Sequence, residues 1–379
     1  MLDKSPLSNL QTRDINALVH PYTPIHRLAE KGTVIMQRGQ GVHVFDTQGR
    51  SYIEGMSGLW CAGLGFGDEE MVEAAIEQMR ALPFYHLFGA KSTEPAIELA
   101  EKLKELAPVP ISRVFFTSSG SEANDTQVKL AWYMNNALGR PEKKKIIARQ
   151  KGYHGVTVMS GSLTGLAGNH NGFDLPVDRV LHTDCPHYYR FGAAGESEQD
   201  FVARLAQSLK DMIEREGPDT IAAMIAEPVM GAGGVIVPPA GYYPAVKEVL
   251  DEHDIIMIDD EVINGFCRTG EWWGCQSLGM TPTTISAAKQ MTAAYAPLGA
   301  VMVPEDVYQA YVDHSAKLGS FSHGFTYGGH PLSCALGDTI AICPPMIISE
   351  AELDELFDRL ERSLDQAEAW VVAQRLRDT

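Results

Sequence analysis

Predominantly apolar runs stand at 114–117, 145–148, 221–226, 255–258 and 284–287, each followed by polar or turn-forming residues. Runs this short, without polar alternation, are the pattern of strands covered on both faces of a parallel sheet. Segments 69–82, 94–106 and 200–214 instead repeat apolar residues at helical spacing, as in Leu99, Leu103 and Leu106. That period predicts helices buried along one stripe. Near the start, 33–37, 42–46 and 51–54 are short β-prone runs separated by Gly-containing turns, which predicts a meander. Near the end, Ser349 with Glu352 forms a capping box, and Leu353, Leu356, Phe357, Leu360, Leu364 and Ala367 give one apolar stripe for a last helix.

The chemistry gathers where two of these runs stop. The 255–258 run ends in Asp259, Asp260 and Glu261, so carboxylates stand at the carboxyl edge of a buried strand, where open α/β sheets place ligands. The 284–287 run delivers Lys289 to the same edge. A buried acid and a buried lysine on neighbouring strand ends suit a pyridine-ring cofactor that needs an amine and a carboxylate for its ring nitrogen. After 114–117 comes SSGSEAND at 118–125, where small residues let the backbone approach an anion and the first helical amides can donate to it. Taken alone, the same letters also make a plain Ser/Asn helix cap. The Gly-rich 56–67 stretch does not complete a dinucleotide fingerprint, because Asp68 stands where its last Gly belongs.

At these residues the chain is closely similar to a known family. D-E-V-x-x-G-F-x-R-T-G at 260–270, followed by A-K at 288–289, resembles the class III (omega-) aminotransferases, which bind pyridoxal phosphate (PLP) on fold type I. The resemblance implies an α/β architecture: a large domain with a mostly parallel central sheet between helices, plus a small α+β domain. It makes Lys289 the PLP-bearing lysine and general acid/base, and Asp260 the partner of the ring nitrogen. Gly120 and Ser121 match the residues that take the phosphate, and Tyr153, in Tyr153-His154-Gly155, matches the aromatic stacked on the ring. Val262 would pack the opposite ring face, and Glu227 opens a matching E-P-x-x-G-x-x-G at 227–234. In SHGFTYGGH at 322–330, Thr326 matches a residue that reaches the phosphate of the neighbouring subunit, which implies a homodimer with a shared active site. Ala232 stands where the ornithine and γ-aminobutyrate branches carry a glutamate, so the chain resembles the amine:pyruvate and β-alanine:pyruvate branch instead. Tyr22, Trp60 and Phe88 fit the aromatic substrate walls of that branch; read singly, each fits a core position equally well.

The likeness breaks at one place. His330-Pro331-Leu332-Ser333-Cys334-Ala335-Leu336 runs straight into Gly337-Asp338-Thr339-Ile340-Ala341-Ile342-Cys343-Pro344-Pro345, and by comparison with the family's usual length roughly 70–80 residues are absent between them. The family's carboxylate-binding arginine aligns with Cys334. The expected organisation is therefore 1–60 as an N-terminal segment and meander, 61–330 as the PLP-binding large domain, and 331–379 as the remnant of a truncated small domain. A strand is expected at 339–342, with edges and apolar faces left uncovered by the missing segment. The function implied is transfer of an amino group from a small amine donor to a keto-acid acceptor such as pyruvate. A PLP-binding but catalytically impaired chain, or a decarboxylase or racemase on the same fold, are the alternatives.

Composition changes this picture little. At 379 residues with 45% hydrophobic content, the chain can hold one large domain and a smaller one. A net charge of −18 argues against nucleic acid or an anionic membrane as partner. The six cysteines (61, 185, 267, 275, 334, 343) show no C-x-x-C and no metal spacing, so no metal is expected. Together with the lack of a long apolar run, they are read as those of a soluble, cytoplasmic protein.

Overall fold

A computed structural model describes residues 7–342 and 347–373. Ten strands are found among them: β1 Met36–Gln40, β2 His43–Asp46, β3 Ser51–Ile53, β4 Arg113–Thr117, β5 Lys145–Arg149, β6 Val180–Thr183, β7 Ile221–Ala226, β8 Ile256–Asp260, β9 Thr284–Ala288 and β10 Gly299–Val303. Seven of them form one sheet in the order β4-β10-β9-β8-β7-β5-β6. Its pairs are parallel except those of β10, which runs antiparallel to both β4 and β9. The mostly parallel sheet expected from the resemblance is therefore present, with one reversed strand inside it.

Alternation along the strands shows why these runs are apolar throughout. Ile146, Ala148, Ala223, Ile225 and Ile258 enter one core with Val128 and Ala131 of the helix Gly120–Ala137. Their strand neighbours Ile147, Met224, Ala226 and Met257 enter another core on the opposite face, with Leu209 of the helix Glu198–Glu216 and Val246 and Leu250 of the helix Tyr242–Asp251. Both faces are covered, so both register positions are mostly apolar, and the buried polar residues gather toward the strand ends. The same directions place the ends of β4, β5, β7, β8 and β9 along one edge, which sets the residues just after them side by side.

Residues from 59–63 and 69–345 make up this larger compact unit, and residues from 1–58, 64–68 and 346–379 make up a smaller one. The smaller unit holds the antiparallel meander β1-β2-β3, with Asp46 accepting from the Gln48 and Arg50 amides, from Arg50 Nε at 2.6 Å and from the Tyr52 hydroxyl at 2.9 Å. It also holds the helix Glu350–Ala373, opened by the predicted Ser349–Glu352 box. Leu356 lies against Gly55, where a Cβ would come within 2.8 Å of it, while Phe357, Leu360 and Leu364 of the same stripe are exposed.

One expectation is overturned. Instead of a strand at 339–342, Pro331–Ile342 is a single helix packed on the helices Glu69–Ala81 and Glu94–Leu106 of the larger unit. Pro331 suits the first helical position. Gly337 lets Leu99 approach to 2.8 Å of where a Cβ would stand, so helix packing overrides the β-branched letters. The 331–342 helix thus groups with the larger unit, not with a remnant beginning at 331. The Cys343-Pro344-Pro345 passage lies outside the described residues. No helix among the described residues is long and apolar enough to cross a membrane.

Candidate active site

At the carboxyl edge the strand ends enclose a cavity of about 460 Å³. β4 leads into Ser118 and Ser119, whose polar groups are used locally: Glu122 Oε2 accepts from the Ser118 amide at 2.7 Å, and Ser119 Oγ caps the Glu122 amide at 3.2 Å. Gly120 and Ser121 then start the helix with amides of the kind that lack an intrahelical acceptor. A Cβ on Gly120 would lie 2.8 Å from a Val262 methyl, so only glycine permits this close approach. Ser121 Oγ accepts the Val156 amide at 3.2 Å and ties the helix start to the loop after Gly155.

β8 contributes Asp260, which is 2% exposed and surrounded by donors. Its Oδ2 lies 2.7 Å from His154 Nδ1 and accepts from Asn124 Nδ2 at 2.7 Å, while Oδ1 accepts the Val262 amide at 3.1 Å. Asn124 also donates to the His154 carbonyl at 2.8 Å, so three segments are fixed around one carboxylate. Asp259 and Glu261 do not join it. Strand alternation turns them to the other face, where Glu261 accepts the Gly274 and Cys275 amides at 3.0 and 2.7 Å. Burial and the facing Glu261 hold the Asp259 carboxyl well above the usual carboxylate range.

Lys289 follows β9 and opens a short 3-10 turn with φ 54, a left-handed backbone that costs a non-glycine residue about 1–3 kcal/mol. Burial pushes its amine pKa below the ordinary lysine value, against the opposing pull of Asp260 and Glu227. Glu227, beyond the end of β7, is 1% exposed and accepts the Tyr153 amide at 2.9 Å and the Gly231 amide at 3.0 Å. Burial pushes its carboxyl up, opposed by His154.

The cavity therefore brings together Gly120, Ser121, Tyr153, His154, Glu227, Asp260, Val262 and Lys289. Asn124 also lines it and was not singled out from the sequence; its position one helical turn after Gly120 is the signal that places it on the same face. Cys61, from a Gly-rich loop distant in sequence, lines it with no local signal to announce it. Trp60 and Ala232 are half-buried and do not line the cavity, and Tyr22, in the smaller unit, is exposed. Phe88 lines a second cavity of about 800 Å³ with Phe115, Phe116, Phe321 and His323. Thr326 is exposed, and Cys334 is fully buried.

The donor set fits pyridoxal phosphate. Amides at a helix start with a glycine and a serine suit the phosphate, Asp260 suits a ring nitrogen, and Lys289 supplies an amine in the same cavity.

Comparison with known proteins agrees with that chemistry. A family model described as aminotransferase class-III matches residues 26–340. Gamma aminobutyrate transaminase 1, mitochondrial, of Solanum lycopersicum is 51% identical over 320 residues, covering 84% of this chain and 62% of that protein. Gamma-aminobutyrate transaminase 1, mitochondrial, of Oryza sativa subsp. japonica is 48% identical over 322 residues, covering 85% and 62%. The chain thus spans about 62% of the length of these curated relatives. Among solved structures, the omega transaminase of Pseudomonas jessenii in complex with PMP superposes with a TM-score of 0.88 at 52% identity, covering 88% of this chain and 74% of that one. A thermostable 4-fold mutant from the same organism gives 0.88 at 53% identity, with the same coverage.

Proposed function

The chain belongs to the class-III aminotransferase family, and on that premise we propose that it moves an amino group from an amine donor to a keto acid such as pyruvate, using pyridoxal phosphate. One observation carries the reading: Lys289 and Asp260 stand at one cavity with the Gly120–Ser121 helix start. When bound, PLP takes up the electron pair released as the donor's carbon–hydrogen bond breaks.

The residues divide the remaining work. Lys289 Nζ takes that proton and returns it, a task suited to an amine whose pKa burial has lowered. Asp260, held in place by His154 and Asn124, would pair with the ring nitrogen. The Gly120 and Ser121 amides would hold the phosphate, with Tyr153 and Val262 as the ring's walls. Glu227 fixes the Tyr153 backbone.

A homodimer with a shared site completes the proposal. Thr326 is exposed, next to Tyr327 at 60% exposure, and Phe84, Tyr85 and Phe88 are exposed aromatics of the same unit. Phe84 and Tyr327 stack edge to face at 5.6 Å, so the aromatic side chains cluster as at a surface that a second copy covers.

Donors and acceptors without strong demands on a carboxylate clasp suit the cavity best. No arginine lines it among the described residues, and Cys334, buried in the helix Pro331–Ile342, offers neither charge nor access. Incubating the PLP-loaded protein with an arylalkyl amine and pyruvate tests the reading. Alanine should form; loss of carbon dioxide, or no product, would reject it.

A further inference from the structure

Arg149 ends β5 with none of its surface exposed, yet it does not line the cavity. Its guanidinium is engaged with neutral groups: Nη1 donates to the Tyr243 hydroxyl at 3.0 Å and Nη2 donates to the Glu227 carbonyl at 2.5 Å. The single Tyr243 O–H lies between that same carbonyl, at 2.6 Å, and the Pro228 carbonyl, at 2.8 Å, and is shared between them. Burying a cation is costly, so a site that buries one against a main-chain turn spends stability to hold that turn in place.

What is held is Glu227. Its carbonyl sits on Arg149 and Tyr243, and its carboxylate accepts the Tyr153 and Gly231 amides on the cavity side. The two loops it joins are also pressed together directly, since a Cβ on Gly233 would stand 2.2 Å from the Lys151 carbonyl oxygen.

We propose that Arg149 is a positioning residue. It grips the Glu227–Pro228 main chain from outside the cavity and thereby fixes Glu227, the Gly231 turn bound to it and the Tyr153 wall of the cavity. That the cavity takes PLP rests on the function proposed above, while the gripping role does not. The planar guanidinium presents one N–H to the hydroxyl and another to the carbonyl from fixed positions; lysine carries its donors on a flexible stem without that fixed fork.

Hydrogen–deuterium exchange on the full chain tests this with Arg149→Met, Arg149→Lys and Tyr243→Phe. Exchange in peptides covering 150–156 and 229–235 should accelerate tenfold or more in Arg149→Met, less in Arg149→Lys, with β8 and β9 unchanged. Visible circular dichroism of bound PLP, which reports the walls on the ring, should fall in Arg149→Met and recover in part in Arg149→Lys. If Arg149→Met does not fold, local acceleration in the other two variants supports the role. Wild-type exchange in both segments, or acceleration spread over the whole chain, would overturn it. A wild-type protein that takes up no PLP would reject the proposed function, while the exchange comparison would still decide the role of Arg149.

Discussion

His154 Nδ1 and Asp260 Oδ2 meet at 2.7 Å, with side chains 0% and 3% exposed. With Asn124 already donating to the same oxygen, the ring tautomer carrying hydrogen on Nδ1 is the one that completes the contact. A hydrogen bond to a buried charged group contributes about 1.5–3 kcal/mol. His154→Phe should therefore raise the PLP dissociation constant about tenfold or more, each factor of ten being about 1.4 kcal/mol. Equilibrium dialysis against PLP measures it, and an unchanged constant would separate His154 from the site.

Thr326 is expected to serve the phosphate of a second copy. Thr326→Ala should weaken PLP retention by about 1.5–3 kcal/mol, the contribution of one hydrogen bond to a charged group. Retention should also rise with protein concentration as dimers form. Sedimentation with simultaneous absorbance at the PLP wavelength checks both, and a monomer that holds PLP tightly would defeat the expectation.

How far this site was legible in the sequence depends on the residue. Asp260 and Lys289 were readable because an apolar run that stops at a charged residue marks a buried strand end. Period-two alternation would also have shown that Asp260 alone of the three acids faces the cavity, since its neighbours must point the other way. Asn124, not singled out, could have been found from its helical turn, whereas Cys61 could not, because only the folded chain brings the 59–63 segment to this edge.

The fold was legible to a similar degree. The helix Glu94–Leu106 and β7 Ile221–Ala226 fall where the periodicity put them. β10 was hidden because Pro297 and Gly299 read as punctuation, although its pairing with β4 and β9 joins β4 to the rest of the sheet. The 339–342 strand was misread because local β-propensity was weighed without the packing of Gly337 on Leu99.

The missing arginine makes a kinetic prediction. A charge-assisted bidentate pair is among the stronger polar contacts, and the buried Cys334 cannot replace it. The Michaelis constant for pyruvate should accordingly lie about tenfold or more above that of a relative that has the clasp, each factor of ten being about 1.4 kcal/mol. Simple arylalkyl amines should react normally in their own half-reaction. Rapid-mixing spectra separate the two halves. Fast, saturable use of low pyruvate would show that another basic residue performs the task.

His323 makes stability depend on pH. Lys129 Nζ donates to its Nδ1 at 2.8 Å, which leaves Nε2–H to donate to Thr126 Oγ1 at 3.0 Å, and its ring stacks on Phe115. Burial, with Lys129 adding to it, pushes the imidazole down from 6.5 to about 4. The unfolded chain thus takes up the proton first as pH falls. The stabilising contribution is complete above pH 6.5 and is lost progressively toward pH 4. Urea midpoints at pH 7 and pH 5 should differ less in His323→Gln than in the wild type, and an equal difference would contradict the assignment.

Borohydride reduction of the PLP-loaded protein, followed by peptide mass mapping, asks most directly whether Lys289 is the anchor of a cofactor site. The pyridoxyl label should fall on the peptide carrying Lys289 and disappear in Lys289→Ala, with the visible PLP band bleached in the wild type. A label that persists in Lys289→Ala, or maps to another lysine in the wild type, would contradict the account.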